Sequence, residues 1–109
     1  MGRPSDLVQG TLDLLILRTI RHEPKHGWTI AKRIRQVSND DLKVQQGSLR
    51  PALYRLEKDG GVAGRRAATQ TGREAKFCSL TSSGRAHLQR EVAAWERLSG
   101  AIDLVIEEA

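Results

Sequence analysis

Four hydrogen-bond donors, Arg50, Tyr54, Arg55 and Lys58, sit close together in the stretch QGSLRPALYRLEKDG, which runs from Gln46 to Gly60. Their chemistry is recognition of a polyanion. A guanidinium presents a rigid fork that matches guanine O6 and N7 or a phosphate. A phenol can bond a phosphate or pack against a sugar or a thymine methyl, and an ammonium acts as a point charge. Gln45 and Gln46, just before, carry amides that bind bases and backbones alike. Reaction chemistry is missing: no nucleophile stands with a base, and there is no paired-carboxylate site or phosphate loop. Lone Cys78 and three scattered histidines supply no metal cluster and no internal disulfide. An enzyme is not expected, and neither is a cofactor.

The donors need a scaffold, and apolar spacing suggests a helix. Leu49, Ala52, Leu53 and Leu56 fall on one face; Arg50, Tyr54 and either Arg55 or Lys58 lie around the other. Ser48 is the expected N-cap, which puts Pro51 in the first turn, where its missing N–H costs nothing. The free amides at that end also suit a phosphate.

Upstream, Gly10–Ile20 reads as a helix apolar nearly all round, with Thr11 as its cap and Asp13 in its first turn. Glu23-Pro24-Lys25-His26-Gly27 breaks it. A second helix from Trp28 to about Val37 turns Ile30, Ile34 and Val37 inward and leaves Lys32, Arg33 and Arg35 to solvent. Leu42-Lys43-Val44 suggests a little extended chain. Trp28 reads as a core plug or, with Leu15 and Trp95, as one wall of an effector pocket; packing is the plainer reading.

Past Gly60-Gly61 the period changes. Val62–Arg66 and Glu74–Leu80 read as two strands around a polar, glycine-containing loop, which makes a β-hairpin carrying Arg65, Arg66, Arg73 and Lys76. Such a hairpin can follow a nucleic-acid backbone or touch the minor groove, although solvation alone also explains these charges. Three helices followed by a hairpin form a winged helix-turn-helix, whose third helix enters the major groove. The fold class expected is therefore mainly α with a small β-hairpin: a winged helix-turn-helix over 1–81 and a C-terminal dimerisation helix over 82–109.

Thr81 caps that last helix. Leu88, Val92, Trp95, Leu98, Ile102 and Val105 then recur three or four residues apart and form an apolar seam. So long a helix overruns a 109-residue domain, and pairing its seam with that of a second copy would remove the exposure. Folding back onto the first helix is the alternative, and Gly100 is a place where the helix could bend.

Charge follows the same division. Residues 1–81 hold 15 Lys/Arg against 8 Asp/Glu, whereas residues 82–109 hold 3 against 5. The basic part is suited to double-stranded DNA, and the acidic tail would be kept away from it. Met1-Gly2-Arg3-Pro4-Ser5-Asp6 leads into no signal peptide and no apolar run is long enough to span a bilayer, so the expected setting is the cytoplasm, with no membrane partner.

These residues resemble the PadR family of bacterial transcriptional regulators from Leu7 to about Val105. The likeness rests on Leu7–Leu17, His26-Gly27-Trp28-Thr29-Ile30, Gln46–Glu57 and Ala75–Gly84, and is most specific in the third. It implies a homodimeric repressor of the compact subfamily, bound to a partly palindromic promoter site. It also implies release by a small apolar or aromatic effector such as a phenolic acid or an antibiotic. Two positions depart from the family pattern. Arg50 stands where tyrosine is usual, with the aromatic at Tyr54 instead, and Gly61 stands where a tryptophan commonly anchors the wing, which predicts a looser wing root. A winged-helix protein–protein module without specific DNA binding is the competing class; RNA binding is disfavoured because the hairpin has no aromatic stacking platform.

Overall fold

The computed structural model describes residues 4–109, with side chains from Thr11 onward. Residues 1–3 lie outside that range, and with them the start of the Met1–Asp6 stretch. The element order is α1 (Pro4–Thr19), α2 (Gly27–Val37), α3 (Gln46–Lys58), β1 (Val62–Ala68), β2 (Glu74–Leu80) and α4 (Ser82–Glu108). This is a mainly helical fold with one antiparallel hairpin and a long C-terminal helix, as the residue patterns lead one to expect.

The core is aliphatic, and every element contributes to it. Leu12, Ile16, Leu17 and Ile20 of α1 and its exit meet Ile30 and Ile34 of α2, Leu49 and Leu56 of α3, Val62 and Cys78 of the hairpin, and Leu88 of α4. Each helix therefore needs only its apolar stripe to be held in place.

Helix starts differ from expectation in two places. α1 begins at Pro4, a residue pre-set for the first helical position, so Thr11 lies within the helix and cannot be its cap. Asp13 is likewise a mid-helix residue. α3 begins at Gln46 with Gln45 as its N-cap, and no side chain caps it. Ser48 is thus the third helical residue, not the cap, and Pro51 is the sixth. Pro51 therefore removes a donor that would have met the Gly47 carbonyl.

Two smaller expectations fail. Val37 is 65% exposed, because α2 ends at that residue and reaches past the core. Leu42–Val44 forms no strand; Val44 packs against the core from an irregular connector.

In the hairpin, Val62 pairs with Leu80 and Ala68 with Glu74, so β1 runs two residues further than the alternation suggests. Its turn is closed by Thr69 N–H to Arg73 O (2.7 Å) and by Gly72 at φ +87°. The loop between α1 and α2 supplies a further rung: the Lys25 N–H donates to Cys78 O (3.0 Å) and the Cys78 N–H to Lys25 O (2.9 Å).

At the wing root, where Gly61 leads to an expectation of looseness, a set of hydrogen bonds joins the Gly60–Gly61 corner to the start of α4. Thr81 caps α4 by accepting the Gly84 N–H at 3.0 Å, and its hydroxyl donates to Gly60 O at 2.6 Å. The Ser83 hydroxyl reaches the same carbonyl at 2.9 Å, and the Thr81 N–H donates to Gly61 O at 3.1 Å. A methyl group on Gly84 would overlap the Gly61 carbonyl. Backbone contact between two glycines replaces an aromatic anchor.

α4 runs unbroken through Gly100 for 27 residues, roughly 40 Å at 1.5 Å per residue. It starts at Ser82 and its first three turns lie against the rest of the fold: α4 contacts α1, Gly84 sits against Gly61, Leu88 is buried in the core and Val92 packs on it. Beyond them it projects, which accounts for the elongated 54 × 28 × 24 Å envelope.

Candidate nucleic-acid interface

The outward face of α3 carries Gly47, Arg50, Pro51, Tyr54 and Lys58, all exposed. Tyr54 is 67% exposed, so its ring rests on no core. Arg50 and Lys58 have no ion pair among the described residues. Two cations and a phenol thus stand one helical turn apart on a rigid element, with their donors turned outward. That arrangement has the chemistry suited to an anionic surface that also offers hydrogen-bonding edges. Ser48 and Gln45 are exposed at the start of the same helix.

Arg55 is different. Its guanidinium points toward α1, where Nη2 meets Asp13 Oδ1 at 2.5 Å, and both side chains are partly covered. The contact ties α3 to α1. Gln46 is also engaged in the fold, donating to the Gly27 carbonyl at 3.3 Å and fixing the start of α3 against the start of α2. Asp13 and Gln46 are therefore positioning residues that a single-helix reading of the sequence misses, because each partner lies on another element.

On the hairpin, Arg65 and Arg73 are exposed and unpaired among the described residues. Arg66 meets Glu74 at 3.4 Å across the strands. Lys76 binds the Glu57 carboxylate of α3, a link from wing to helix that passes over Gly64. A side chain on Gly64 would strike both groups, so the glycine that weakens β1 as a strand also makes room for this bridge.

His26 occupies the N-cap position of α2 without capping it. Its ring shares a 2.9 Å hydrogen bond with the Thr29 hydroxyl and stands edge-on to Phe77, with centroids 5.1 Å apart. Cys78 is buried beside it. Burial pushes its thiol above the ordinary value and the Glu57 carboxylate adds to this, while Lys76 opposes it.

Among the described residues, Leu15 and Trp95, expected to share an effector pocket with Trp28, line neither of the two hollows that Trp28 lines. Trp28 is 62% exposed. Leu15 packs against the core, and Trp95 lies on the projecting part of α4.

The seam on α4 also divides. Leu88 is buried in the chain's own core and Val92 packs against it, so Leu88 is not free to meet a second copy. Trp95, Leu98, Ile102 and Val105 are 45–63% exposed. Ile106 joins them at 72%, four residues after Ile102 and on the same stripe, a position that the spacing already allowed. No helix among the described residues is long and apolar enough to cross a membrane.

Residues 16–90 match the PadR-like family of transcriptional regulators. An uncharacterised protein of Lysinibacillus sphaericus is 30% identical over 103 residues, a match spanning 94% of each chain. Among solved structures, a protein of Streptococcus mutans superposes with a TM-score of 0.83 at 27% identity, covering 99% of this chain and 95% of the other. A PadR-like transcriptional regulator of Bacillus cereus is alike in fold, with a TM-score of 0.80 at 22% identity, covering 95% of this chain and 99% of the other. The chain belongs to the PadR-like family, whose members are DNA-binding transcriptional regulators and not enzymes.

Proposed function

We propose that this member of the PadR-like family works as a homodimeric, sequence-specific repressor released by a small apolar or aromatic effector. The observation that carries the reading is the pair of exposed faces on opposite kinds of helix. α3 offers exposed Arg50, Tyr54 and Lys58, while α4 offers an apolar stripe from Trp95 to Ile106.

Arg50 is the base-reading residue, bidentate to guanine O6 and N7, and Tyr54 and Lys58 hold the flanking backbone. Arg65, Arg66 and Arg73 on the wing bind phosphates, with Lys76 and Arg55 acting mainly through the carboxylates they hold. Residues 82–109 serve as the dimerisation helix through the part beyond Val92. Each Å² of apolar seam removed from water contributes roughly 25 cal/mol before the cost of association. Two copies then present two α3 helices to half-sites about one turn apart. Trp95 stands on the exposed stripe of α4, so an effector site that uses it would lie at the contact between copies.

The test is binding of the purified chain to duplex fragments from upstream of its own gene, titrated with salt and competitor DNA, alongside its mass by light scattering. Selective retention of one fragment by a dimer supports the reading. A steep salt dependence without selectivity would reduce it to backbone attraction. A dimer that binds no duplex at low salt would favour the protein–protein module.

A further inference from the structure

Glu57 is the one acidic residue of α3, and it stands among the donors. Arg50, Tyr54 and Glu57 follow one another at four and three residues, so they share a helix face. A carboxylate at that place repels the phosphates that its neighbours attract, and a neutral residue would serve plain affinity better. Its partner is Lys76 of the wing. Among the described residues this is the one ion pair that joins the hairpin to a helix. It is also better covered than the Arg66–Glu74 pair nearby.

Two features of the hairpin are arranged around this pair. Lys76 lies directly opposite Arg66 in the register, and like charges so placed push strands apart unless each is held. Glu74 meets Arg66 within the hairpin, whereas Lys76 is held from outside, by Glu57. Gly64 lies beneath: a Cβ there would sit 2.8 Å from Glu57 Oε2 and would overlap the end of the Lys76 side chain. Both are tips of flexible side chains, so a larger residue at 64 is accommodated by parting the pair. The hairpin is thus fastened at three places. Its root is bonded to the start of α4 through the Thr81 and Ser83 hydroxyls on Gly60 O. The Cys78 rung ties β2 to the loop before α2, and two residues nearer the turn Lys76 ties it to the last turn of α3. Of the three, only the last runs from a wing side chain to the helix that carries Arg50.

We propose that Glu57 is a specificity-determining residue: through Lys76 it locks the wing at a fixed angle to α3, so that the wing cations reach a DNA backbone only when α3 is seated in its own site. Glu57 touches neither base nor phosphate; it is a positioning residue that acts through Lys76. The inference rests on the DNA-binding reading above and adds to it a reason for a carboxylate on α3. With the pair parted, Lys76 is free for any phosphate and the wing follows a backbone however α3 lies. Sequence-blind binding then rises, while the selected complex, whose wing was already in place, gains little.

The experiment titrates with salt the affinity for the retained upstream duplex and for a random duplex of equal length. It compares wild type, Glu57→Gln, Gly64→Ala, Lys76→Ala and the double variant Glu57→Gln/Lys76→Ala. Glu57→Gln is expected to tighten the random complex about fivefold, to change the selected one less than about twofold, and to raise the salt slope on random DNA by about one. Gly64→Ala keeps both charges and is expected to do the same, which separates parting of the pair from a change in net charge. Lys76→Ala is expected to leave the slope on the selected duplex at its wild-type value, and the double variant to lose the unit that Glu57→Gln adds. A selectivity ratio that stays at the wild-type value in both Glu57→Gln and Gly64→Ala would overturn the inference. So would a slope on the selected duplex that falls by about one in Lys76→Ala alone, which makes Lys76 an ordinary phosphate contact. A ratio that falls only because the selected complex weakens would make Glu57 a base contact and overturn it as well. Each of these outcomes leaves DNA binding intact. Absence of duplex binding by wild type would overturn the reading beneath, and this inference with it.

Discussion

The exposed face of α3 and the exposed stripe of distal α4 are both surfaces without a partner in the single chain, but exposure has different costs for each. Arg50 and Lys58 are well solvated alone, so their exposure is stable and their role is to meet an anion when one arrives. Trp95, Leu98, Ile102, Val105 and Ile106 gain nothing from water, and the proposed dimer would cover this apolar stripe. A charged face waits for its partner, whereas an apolar one requires it. The α4 contact should therefore be permanent and the α3 contact conditional on salt and sequence.

The sharpest way to break this contrast is Ile102→Asp, which places a charge mid-stripe. The expected outcome is a monomer by light scattering, with affinity for the selected upstream duplex lower by about 10²–10⁴-fold as the linked second site is lost. An unchanged dimer would remove the apolar stripe from the interface.

Leu88→Ala tests the other half of the same helix. Because Leu88 is buried within the chain, urea unfolding should show a loss of about 2–4 kcal/mol, with the dimer intact below the transition. Dissociation without loss of fold would return Leu88 to the interface.

On α3, Arg50→Ala should cost about 1–3 kcal/mol on the selected duplex and far less on a random one, which measures base reading. Lys58→Ala should lower both affinities alike and reduce the salt slope by about one. Arg55→Ala should do neither. Its partly exposed pair with Asp13 leads one to expect a stability loss of about 0.5 kcal/mol by thermal melting. A slope change in Arg55→Ala equal to that of Lys58→Ala would put Arg55 on the backbone after all.

The smallest effect is at Cys78. Its raised thiol pKa means less thiolate at any given pH, so iodoacetamide at neutral pH should react more slowly with the native chain than with the unfolded one. The rate should climb as pH rises through the alkaline range. The linked stability runs the same way: the unfolded thiol ionises first, so stability is full below the ordinary thiol pKa and declines above it.

How far the residues speak for themselves depends on whether a group's partner is near in sequence. The periodicity of Leu49, Ala52 and Leu56 fixes the buried face of α3 and hence the exposure of Arg50 and Tyr54. The Thr81 cap and the seam after it are equally local, and each is legible from three- and four-residue spacing. Helix starts proved harder, since Thr11 and Ser48 are good cap residues but a cap requires the helix to begin there. α1 starts at Pro4 and α3 at Gln46, each ahead of the expected cap.

The sequence by itself therefore determined the order of elements, the apolar faces and the division of charge between residues 1–81 and 82–109, because these depend on the period of the chain and the nature of each side chain. Tertiary structure alone decided which cations are committed and which are free. Arg55 meets Asp13 from 42 residues away and Lys76 meets Glu57 from 19, while Arg50 meets no carboxylate among the described residues. It likewise decided that Leu88 belongs to the chain's own core and that Trp28 stands in the open. Helical period places a residue on a face, but only the packing of one element on another determines whether that face is covered.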